Sequence, residues 1–294
     1  MASENTHNDM VVLQWVVDTR ELWSSASKTA DLEHVAAAPL ELLSTKERTE
    51  TLRFLRVKDA KLALVSRLLK RYAIARFCDV PWSEATAFKD TNTKPIFRKA
   101  DGSEPLIFNV THQDGLVILF GIVNPPPGLA IGVDIVSPSE RRDHDHKIIS
   151  KDGWPEYVDI HADVFSPKEV TCLKDLSFDR KSAEGRDRLL RWFYALWCLR
   201  EAYIKMTGEA LLASWLRDLE IRGFAPPEDL RNGVEGAWMY GKRVEGVDIK
   251  LEDLTVRFMV SSVVRRGTGG ETIDVKEWQN FDIDEILSFA TARQ

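Results

Sequence analysis

One stretch of the chain runs Trp197-Cys198-Leu199-Arg200-Glu201-Ala202-Tyr203-Ile204-Lys205. Its apolar residues recur at helical spacing, which predicts a helix with one face in a core. Glu201 and Lys205 lie four residues apart beside that face, so a helix would place them on the same side. A carboxylate and an ammonium beside a tryptophan-rich core form either a structural ion pair or a functional site.

A second carboxylate is unusual because it interrupts an apolar run. Asp134 lies within the segment 129–136, whose other residues predict a buried strand. On that strand the side chains of Gly132, Asp134 and Val136 would share one face. A buried carboxylate without a partner is strongly unfavourable, so Asp134 needs a cation, hydrogen-bond donors or water. Alternatively, it lies at the end of the strand and reaches a helix N-terminus.

Two carboxylates on separate elements, with few other candidate ligands nearby, suit Mg²⁺. This ion prefers oxygen ligands, keeps several waters and is commonly completed by substrate phosphates. Cationic or hydrogen-bonding residues near the same segments are Lys94, His112, Arg200 and Lys205. Because Mg²⁺ and cationic clamps are a common apparatus for attack at phosphorus, these residues predict a phosphate-transferring enzyme.

The composition is that of a folded, acidic protein with one basic region. The chain has 294 residues, of which 44% are hydrophobic and 29% charged, and its formal net charge is −6. This acidity argues against a general nucleic-acid-binding protein. The stretch 46–76 nevertheless carries ten Lys or Arg residues against three acids. It is either a solvated helix face or a site for a phosphate-bearing ligand, an acidic partner or both.

Cysteine usage and the N-terminal sequence bear on the compartment. The three cysteines lack the spacing of a metal site, and their odd number suggests no disulfide framework. Cys198 lies in the apolar helix, so a buried thiol is expected. The N-terminus lacks a secretory pattern, and the apolar run 11–17 is too short to span a bilayer. We therefore expect a cytoplasmic protein that does not insert into membranes.

The pattern of elements predicts an α+β protein with two halves. Three prolines at 125–127 followed by Gly128 cannot continue a helix or a central strand, so we place a boundary between 1–127 and 128–294. Each half combines helices with mainly hairpin-like strands. The predicted strands are 11–17, 107–110, 116–123, 130–136, 216–222, 247–251 and 255–264, and a short extended piece is predicted at 95–98. The predicted helices are 40–56, 59–77, 166–175 and 186–207.

Two further motifs are interpreted as surface features. His144 and His146 have the residue type of metal ligands, but their segment is wholly polar, which favours a solvated loop. The segment Gly267-Thr268-Gly269-Gly270 has neither Walker spacing nor a following Lys-Ser/Thr pair. A surface turn is therefore expected there rather than a phosphate-binding loop.

Several motifs together carry a family resemblance. They are Lys94-Pro95, Phe108-Asn109-Val110-Thr111-His112, Ile131-Gly132-Val133-Asp134-Ile135, Phe165-Ser166-Pro167-Lys168-Glu169 and the stretch 197–205. Arg53-Phe54, Asp59 and Ser66-Arg67-Leu68-Leu69 precede them. Because these motifs occur in the order of the family, the chain resembles the surfactin-synthetase-activating, or Sfp-type, family of 4′-phosphopantetheinyl transferases over roughly 40–265. Its size and Pro-rich connector resemble the eukaryotic, fungal branch.

The resemblance implies a fold and a reaction. It implies two similar α/β halves, a pseudo-dimer, with coenzyme A and the active site between them. The implied reaction transfers 4′-phosphopantetheine from coenzyme A to a serine of an apo acyl or peptidyl carrier protein, with Mg²⁺, and releases adenosine 3′,5′-bisphosphate. The implied carriers belong to fatty-acid, polyketide and nonribosomal-peptide synthases and to aminoadipate reductase. Because both halves lie in one chain, a monomer is expected.

The resemblance also assigns roles to residues, motif by motif. Asp134 and Glu201 correspond to Mg²⁺ ligands, and Lys205 completes the expected catalytic group. The implied contacts to coenzyme A are Lys94, Pro95, Thr111, His112, Arg200 and Lys205. Arg200 stands where the family usually has Lys, so the charge is kept while the hydrogen-bond geometry differs.

Two departures from the family pattern leave residues open. Val136 occupies the position at which many bacterial members have a third, acidic metal ligand. The eukaryotic pattern has Gln directly after the motif His, so Gln113 or a water is expected to take that place. The family pattern has basic residues around 47–50 that bind the 3′-phosphate of coenzyme A, but in this chain the segment contains both basic and acidic residues. Arg48 and Lys89 are the residues predicted for that contact.

Alternatives remain open for the function and for the partner surface. A non-catalytic regulator that binds coenzyme A or a carrier on the same fold is the runner-up, because Val136 removes a metal ligand. A nucleic-acid or membrane surface on 46–76 is less favoured, because the protein as a whole is acidic. The same stretch would attract an acidic carrier helix. Trp154, Tyr157 and Val164 would then form either an apolar anchor or ordinary core.

Overall fold

The chain forms two compact units. The computed structural model describes residues 9–90, 94–209 and 213–293. Unit 1 contains the described residues up to Leu129 and those from Asp274 onward, and unit 2 is Ala130–Ile273. The predicted division placed all of 128–294 in one half, so the return of the C-terminal segment to unit 1 departs from it. Residues 1–8, on which the expectation of no secretory signal partly rests, lie outside the described range.

Helices and mainly antiparallel strands follow one another in runs along the chain. The strands are β1 (Val11–Asp18), β2 (Phe88–Lys89), β3 (Pro95–Ile96), β4 (Leu106–Gln113), β5 (Leu116–Val123), β6 (Ala130–Val136), β7 (Leu219–Arg222), β8 (Gly236–Met239), β9 (Lys242–Arg243), β10 (Val247–Thr255), β11 (Phe258–Arg265) and β12 (Gln279–Asn280). The helices are α1 (Leu32–Val35), α2 (Ala37–Glu41), α3 (Thr45–Leu52), α4 (Val57–Phe77), α5 (Arg142–Asp152), α6 (Trp154–Asp159), α7 (Pro167–Lys174), α8 (Ala183–Thr207) and α9 (Ile283–Thr291). The predicted α+β class is confirmed.

Unit 1 is a sheet with the long helix α4 packed on it. The strand order is β12-β1-β5-β4, with antiparallel pairing except for the parallel β1–β12 pair. Helix α4 packs on β4 and β5 and is also in contact with α3 and α9. Because it is covered on several sides, its residues Leu64, Leu68 and Tyr72 are fully buried. The core of unit 1 therefore lies between α4 and the sheet.

Unit 2 repeats this arrangement with different residues. Its main sheet has the antiparallel order β10-β11-β6, and the long helix α8 packs on β6 and β11. Leu189, Phe193, Leu196 and Leu199 form the buried stripe of α8. A second small sheet has the order β7-β8-β9. No helix within the described ranges combines the length and apolar content needed to cross a bilayer.

The structure corrects three predicted elements. The helix predicted over 40–56 is interrupted at Ser44, whose side chain accepts a hydrogen bond from Glu47 N and caps α3. The extended piece predicted over 95–98 forms a strand only at Pro95–Ile96. The segment with His144 and His146 is part of helix α5 rather than a loop. His146 Nε2 lies 2.8 Å from a carboxylate oxygen of Asp187 on α8, and this contact supports the polar helix.

Candidate functional site

Strand β6 and helix α8 approach closely at Gly132. A Cβ atom at this position would lie 2.0 Å from the carbonyl oxygen of Ala202 and 2.5 Å from the backbone nitrogen of Met206. Glycine is therefore required for this packing of helix backbone against strand. The close approach brings the turn of α8 that carries Glu201 and Lys205 onto the strand.

Asp134 lies on the same face of β6 as Gly132, two residues further along the strand. Its side chain is largely buried, and its Oδ1 atom accepts a hydrogen bond from Lys205 Nζ at 2.6 Å. The Sγ atom of Cys198 donates to the backbone oxygen of Asp134 at 3.3 Å. Of the partners that the sequence left open for this carboxylate, the structure thus provides a cation from α8.

Glu201 lies one helical turn before Lys205 on α8. Its Oε1 atom is buried and has no hydrogen-bond partner in the part of the chain that is described. Burial raises the pKa of Glu201 to about 6, and the charge of Asp134 acts in the same direction, whereas Lys205 and Arg200 oppose it. An unpartnered buried carboxylate oxygen is unfavourable, so this atom is suited to bind a ligand.

The oxygens of Asp134 and Glu201 fit a hard divalent cation. Mg²⁺ binds through one or two carboxylates and keeps waters, so a partly buried carboxylate pair with one unpartnered oxygen suits it. Val136, at the next position on the same face of β6, is buried among apolar side chains and offers no oxygen. Across the described residues no cluster of three or more His, Cys, Asp or Glu is arranged to hold a metal.

Arg200 does not fit the predicted contact with coenzyme A. Its side chain is 3% exposed, and Nη1 donates to Glu169 Oε2 at 2.7 Å and to the backbone oxygen of Leu219 at 2.8 Å. Its Nη2 atom donates to the backbone oxygen of Leu216. These contacts join α8 to α7 and β7, and they leave almost no guanidinium surface for a ligand. The structure corrects the prediction, because Arg200 is a buried structural residue.

The predicted residues at the end of β4 lie in unit 1. Thr111 is buried, His112 is exposed and Gln113 is half-buried. Successive side chains of a strand point to opposite faces, so His112 lies on the face opposite to Thr111 and Gln113. The strand is paired here with the start of β5, because Gln113 lies opposite Leu116.

A short hairpin carries three more of the predicted residues. Lys89 on β2 lies directly opposite Pro95 on β3, and the backbone nitrogen of Lys94 donates to Asp90 Oδ1 at 2.8 Å. Lys89 is exposed, whereas Lys94 and Pro95 are half-buried. The hairpin therefore brings Lys89 and Pro95 together, as a shared ligand would require. Arg48 lies on α3 and is half-buried.

Lys70, within the basic stretch 46–76, is a further candidate for binding an anion that was not predicted from the sequence. Burial lowers the pKa of Lys70 to about 8, and the nearby charges of Arg67 and Lys89 act in the same direction, against Glu47. Arg67 is itself paired with Glu50, at 3.0 Å between Nη2 and Oε2. The excess positive charge at Lys70 suits an anionic ligand beside the predicted residue Lys89. Its i,i+3 spacing from Arg67 on a helix was the available signal.

The apolar residues between 150 and 165 belong mainly to the core of unit 2. Trp154 and Tyr157 are fully buried, and Trp154 Nε1 donates to the backbone oxygen of Leu173 at 2.7 Å. Val164 is only half-buried against the same cluster. The two aromatic residues are therefore ordinary core residues, and they offer no surface on which a partner could be anchored.

Comparison with known proteins gives a consistent result over most of the chain. Residues 29–124 match the family described as 4′-phosphopantetheinyl transferase, N-terminal, and residues 130–241 match the 4′-phosphopantetheinyl transferase superfamily. The chain is 55% identical over 278 residues to 4′-phosphopantetheinyl transferase 1 of Fusarium mangiferae, which covers 95% of this chain and 94% of that protein.

More distant relatives have related names. The chain is 31% identical to 4′-phosphopantetheinyl transferase A of Aspergillus fumigatus, over 98% of this chain and 96% of that protein. It is 27% identical to the human L-aminoadipate-semialdehyde dehydrogenase-phosphopantetheinyl transferase, over 58% of this chain and 49% of that protein. The fungal similarity thus spans both units, whereas the human similarity covers a part of the chain.

Proposed function

Because the chain belongs to the 4′-phosphopantetheinyl transferase superfamily, we propose that it transfers 4′-phosphopantetheine from coenzyme A to a serine of apo acyl or peptidyl carrier proteins. Adenosine 3′,5′-bisphosphate is the second product. The observation that carries the site is the contact between Lys205 and Asp134 beside the unpartnered carboxylate oxygen of Glu201. All three residues lie in the motifs on which the resemblance rests.

The carrier substrates and the setting of the reaction are part of the proposal. The carriers would be those of fatty-acid, polyketide and nonribosomal-peptide synthases and of aminoadipate reductase. The name of the human relative, which refers to L-aminoadipate-semialdehyde dehydrogenase, supports the last of these. We also propose that the protein acts as a monomer and that it does so in the cytoplasm.

Asp134 and Glu201 are the residues that would hold Mg²⁺, and Gln113 or a water is the candidate for a further ligand. When bound, the ion would neutralise negative charge that develops on the pyrophosphate during the reaction. Asp134 is already held in place by Lys205 and by its position on a paired strand. Its carboxylate would therefore need little rearrangement to receive the ion.

Glu201 and Lys205 would supply the proton transfer and the local positive charge. The Oε1 atom of Glu201 has no hydrogen-bond partner among the described residues, so this carboxylate is available to accept a proton directly or through a bound water. It would accept the proton of the attacking carrier serine. The ammonium of Lys205, which Asp134 holds at 2.6 Å, would stabilise the negative charge on the leaving phosphate oxygen.

Residues of unit 1 would bind coenzyme A through its phosphates and adenine. Thr111 and His112 at the end of β4, and Lys94 with Pro95 in the hairpin, are the proposed contacts from the family motifs. Lys89 and Arg48 are proposed for the 3′-phosphate. The positive charge of Lys70 beside Lys89 supports an anion at this place. Two cationic side chains near one phosphate ester would bind it mainly through charge.

The test is the mass of a purified apo carrier protein after incubation with this protein, coenzyme A and Mg²⁺. We expect a gain of one phosphopantetheine group that is abolished by EDTA. The same incubation with Asp134→Asn is the matched control, because this variant keeps the size of the side chain and removes its charge. If several apo carriers gain no mass while coenzyme A still binds, the reaction is excluded and the regulator suggested by Val136 is favoured.

A further inference from the structure

The two units place three equivalent positions in different chemical surroundings. In unit 1, Trp15 on β1 lies directly opposite Leu119 on β5. The ring of Tyr72 on α4 packs against Trp15, with 5.5 Å between the ring centroids. All three side chains are buried in the core of this unit. Two paired strands and the long helix thus meet through apolar contacts.

In unit 2 the same three positions are polar. Asp134 on β6 lies directly opposite Ser261 on β11, and Glu201 takes the position on α8. The equivalence follows from the order of the strands, which is β4-β5-β1 in unit 1 and β10-β11-β6 in unit 2. The central strand β5 therefore corresponds to β11, and its neighbour β1 corresponds to β6. The equivalence also follows from the helices, because Tyr72 and Glu201 each come directly after an arginine that pairs with the glutamate of a capping box.

Ser261 is buried, and its hydroxyl makes no hydrogen bond to any residue that the structure describes. It is 0% exposed, and its Oγ atom has no partner among residues 9–90, 94–209 and 213–293. Directly opposed residues of antiparallel strands project on the same face, so this hydroxyl lies on the face of Asp134. Met259 and Val263, two positions away on either side, belong to the core cluster that includes α8. The hydroxyl therefore faces α8.

Two oxygens on the elements that face Asp134, one on β11 and one on α8, thus lack partners among the described residues. They are Ser261 Oγ and Glu201 Oε1. A buried polar group left unsatisfied costs about 1–3 kcal/mol, and an apolar residue would avoid this cost, as Leu119 does at the position of unit 1 that is equivalent to Ser261. Two such atoms beside a carboxylate indicate a polar ligand that binds there. The hydroxyl of Ser262 also lacks a partner within the described part of the chain, but it lies on the opposite face of β11.

We propose that Ser261 is a positioning residue of the cation site, and that its hydroxyl accepts a hydrogen bond from a water that completes the hydration of an ion held by Asp134 and Glu201. Mg²⁺ usually keeps several waters, and their hydrogen bonds to the protein orient them. Val136 supplies no oxygen from the strand, so a neutral hydroxyl on the neighbouring strand is suited to this task. The inference rests on the metal requirement of the proposed function.

The test compares Ser261→Ala with Ser262→Ala. Both substitutions remove a buried hydroxyl without a partner, so without Mg²⁺ neither should lower the thermal stability of the protein. With coenzyme A present, we expect Ser261→Ala to weaken Mg²⁺ binding about tenfold, as is typical when a residue that orients a metal's surroundings is lost. Ser262→Ala should leave Mg²⁺ binding unchanged. Isothermal titration calorimetry measures the affinity directly and independently of turnover.

The outcomes separate this inference from the proposed function. Equal Mg²⁺ affinity for the wild-type protein and Ser261→Ala overturns the inference. Equal weakening by Ser261→Ala and Ser262→Ala also overturns it, since a general change of packing would then be the cause. The mass of an apo carrier is measured with the wild-type protein in the same buffer. If the carrier gains phosphopantetheine in either of these cases, the proposed function stands without a role for Ser261.

Discussion

The two units anchor their long helices by the same contact. In unit 1, Glu47 closes the capping box of α3 and pairs with Arg71 of α4 at 2.7 Å. In unit 2, Glu169 closes the capping box of α7 and pairs with Arg200 of α8, also at 2.7 Å. Each glutamate satisfies backbone donors at the start of a short helix and holds the long helix beside it.

The units differ at the next residue of each long helix. Tyr72 follows Arg71, and its hydroxyl donates to Glu285 Oε1 at 2.6 Å. Glu201 follows Arg200, and its Oε1 atom is unpartnered within the described ranges. The arginine pair occurs in both units and is therefore part of the scaffold. The charged residue beside the pair distinguishes unit 2, and we expect the proposed chemistry to depend on it; four comparisons between the units test this.

The largest effect is expected from Glu201 and Asp134, the two carboxylates whose equivalent positions in unit 1 are occupied by Tyr72 and Trp15. Glu201→Gln and Asp134→Asn should each lower the rate of carrier modification by at least about a thousandfold, the order seen when a charge-stabilising group of a phosphoryl-transfer site is lost. Initial rates from intact-mass spectra measure this loss, and circular dichroism checks the fold. Tyr72→Phe is the matched control at the equivalent position of unit 1. A folded Glu201→Gln variant with near-normal turnover would remove Glu201 from the site.

The second effect concerns the stability of the shared anchors. Breaking a buried ion pair by removing one partner costs about 3–5 kcal/mol. The side chains of Arg200 and Glu169 are 3% and 1% exposed, whereas those of Arg71 and Glu47 are 4% and 16% exposed. We therefore expect Arg200→Met to lower the free energy of unfolding more than Arg71→Met. Urea unfolding of the two variants, followed by tryptophan fluorescence, measures the difference.

The same pair of variants tests the correction made for Arg200. If its role is only structural, folded Arg200→Met should keep the wild-type KM for coenzyme A, because the guanidinium faces protein atoms. A large rise in KM with unchanged stability would instead restore the contact predicted from the sequence. Arg71→Met, measured alongside, shows how far a lost anchor alone affects KM.

The third effect concerns the glycine that lets α8 approach β6. At Gly132 an added Cβ would lie 2.0 Å from the carbonyl oxygen of Ala202, and a backbone atom cannot move aside cheaply. Gly132→Ala should cost about 3 kcal/mol, the upper end of the usual range for overpacking. At Gly121 on β5 the nearest atoms are 3.4 Å from the added Cβ, so Gly121→Ala is the tolerated control. Equal melting temperatures for the two variants would contradict the close approach.

The candidate site residues of unit 2 that can be predicted from the sequence are those marked by a pattern in their own segment of the chain. Glu201 and Lys205 were found from their spacing on a helix, and Asp134 from its place in an apolar run. The structure brings Asp134 and Lys205 within hydrogen-bond distance and places Glu201 one turn away. Local spacing was sufficient here because one strand and one helix carry all three side chains.

The residues that the sequence misplaced or missed depend on distant partners. Arg200 is adjacent to Glu201, and only the position of Glu169, 31 residues earlier, shows that its side chain is buried in a pair. The unpartnered hydroxyl of Ser261 follows from the pairing of β11 with β6, which no local pattern determines. Helix α5 is mostly polar, and its contact with Asp187 comes from α8. Strands of two residues, such as β12, are too short for periodicity.

The smallest effect is expected at Tyr72, which occupies the position of unit 1 that is equivalent to Glu201. Tyr72→Phe removes the hydrogen bond to Glu285 on α9 and the one that Arg76 Nη1 donates to the Tyr72 hydroxyl, and each should cost about 1 kcal/mol, the usual net value of a hydrogen bond. The loss stays small because Glu285 keeps its ion pair with Arg76 at 3.0 Å and is 52% exposed. Hydrogen exchange should quicken most in Ile283–Thr291, since Tyr72 holds this helix to α4. Loss of carrier modification in this variant would place chemistry in both units and contradict the distinction between them.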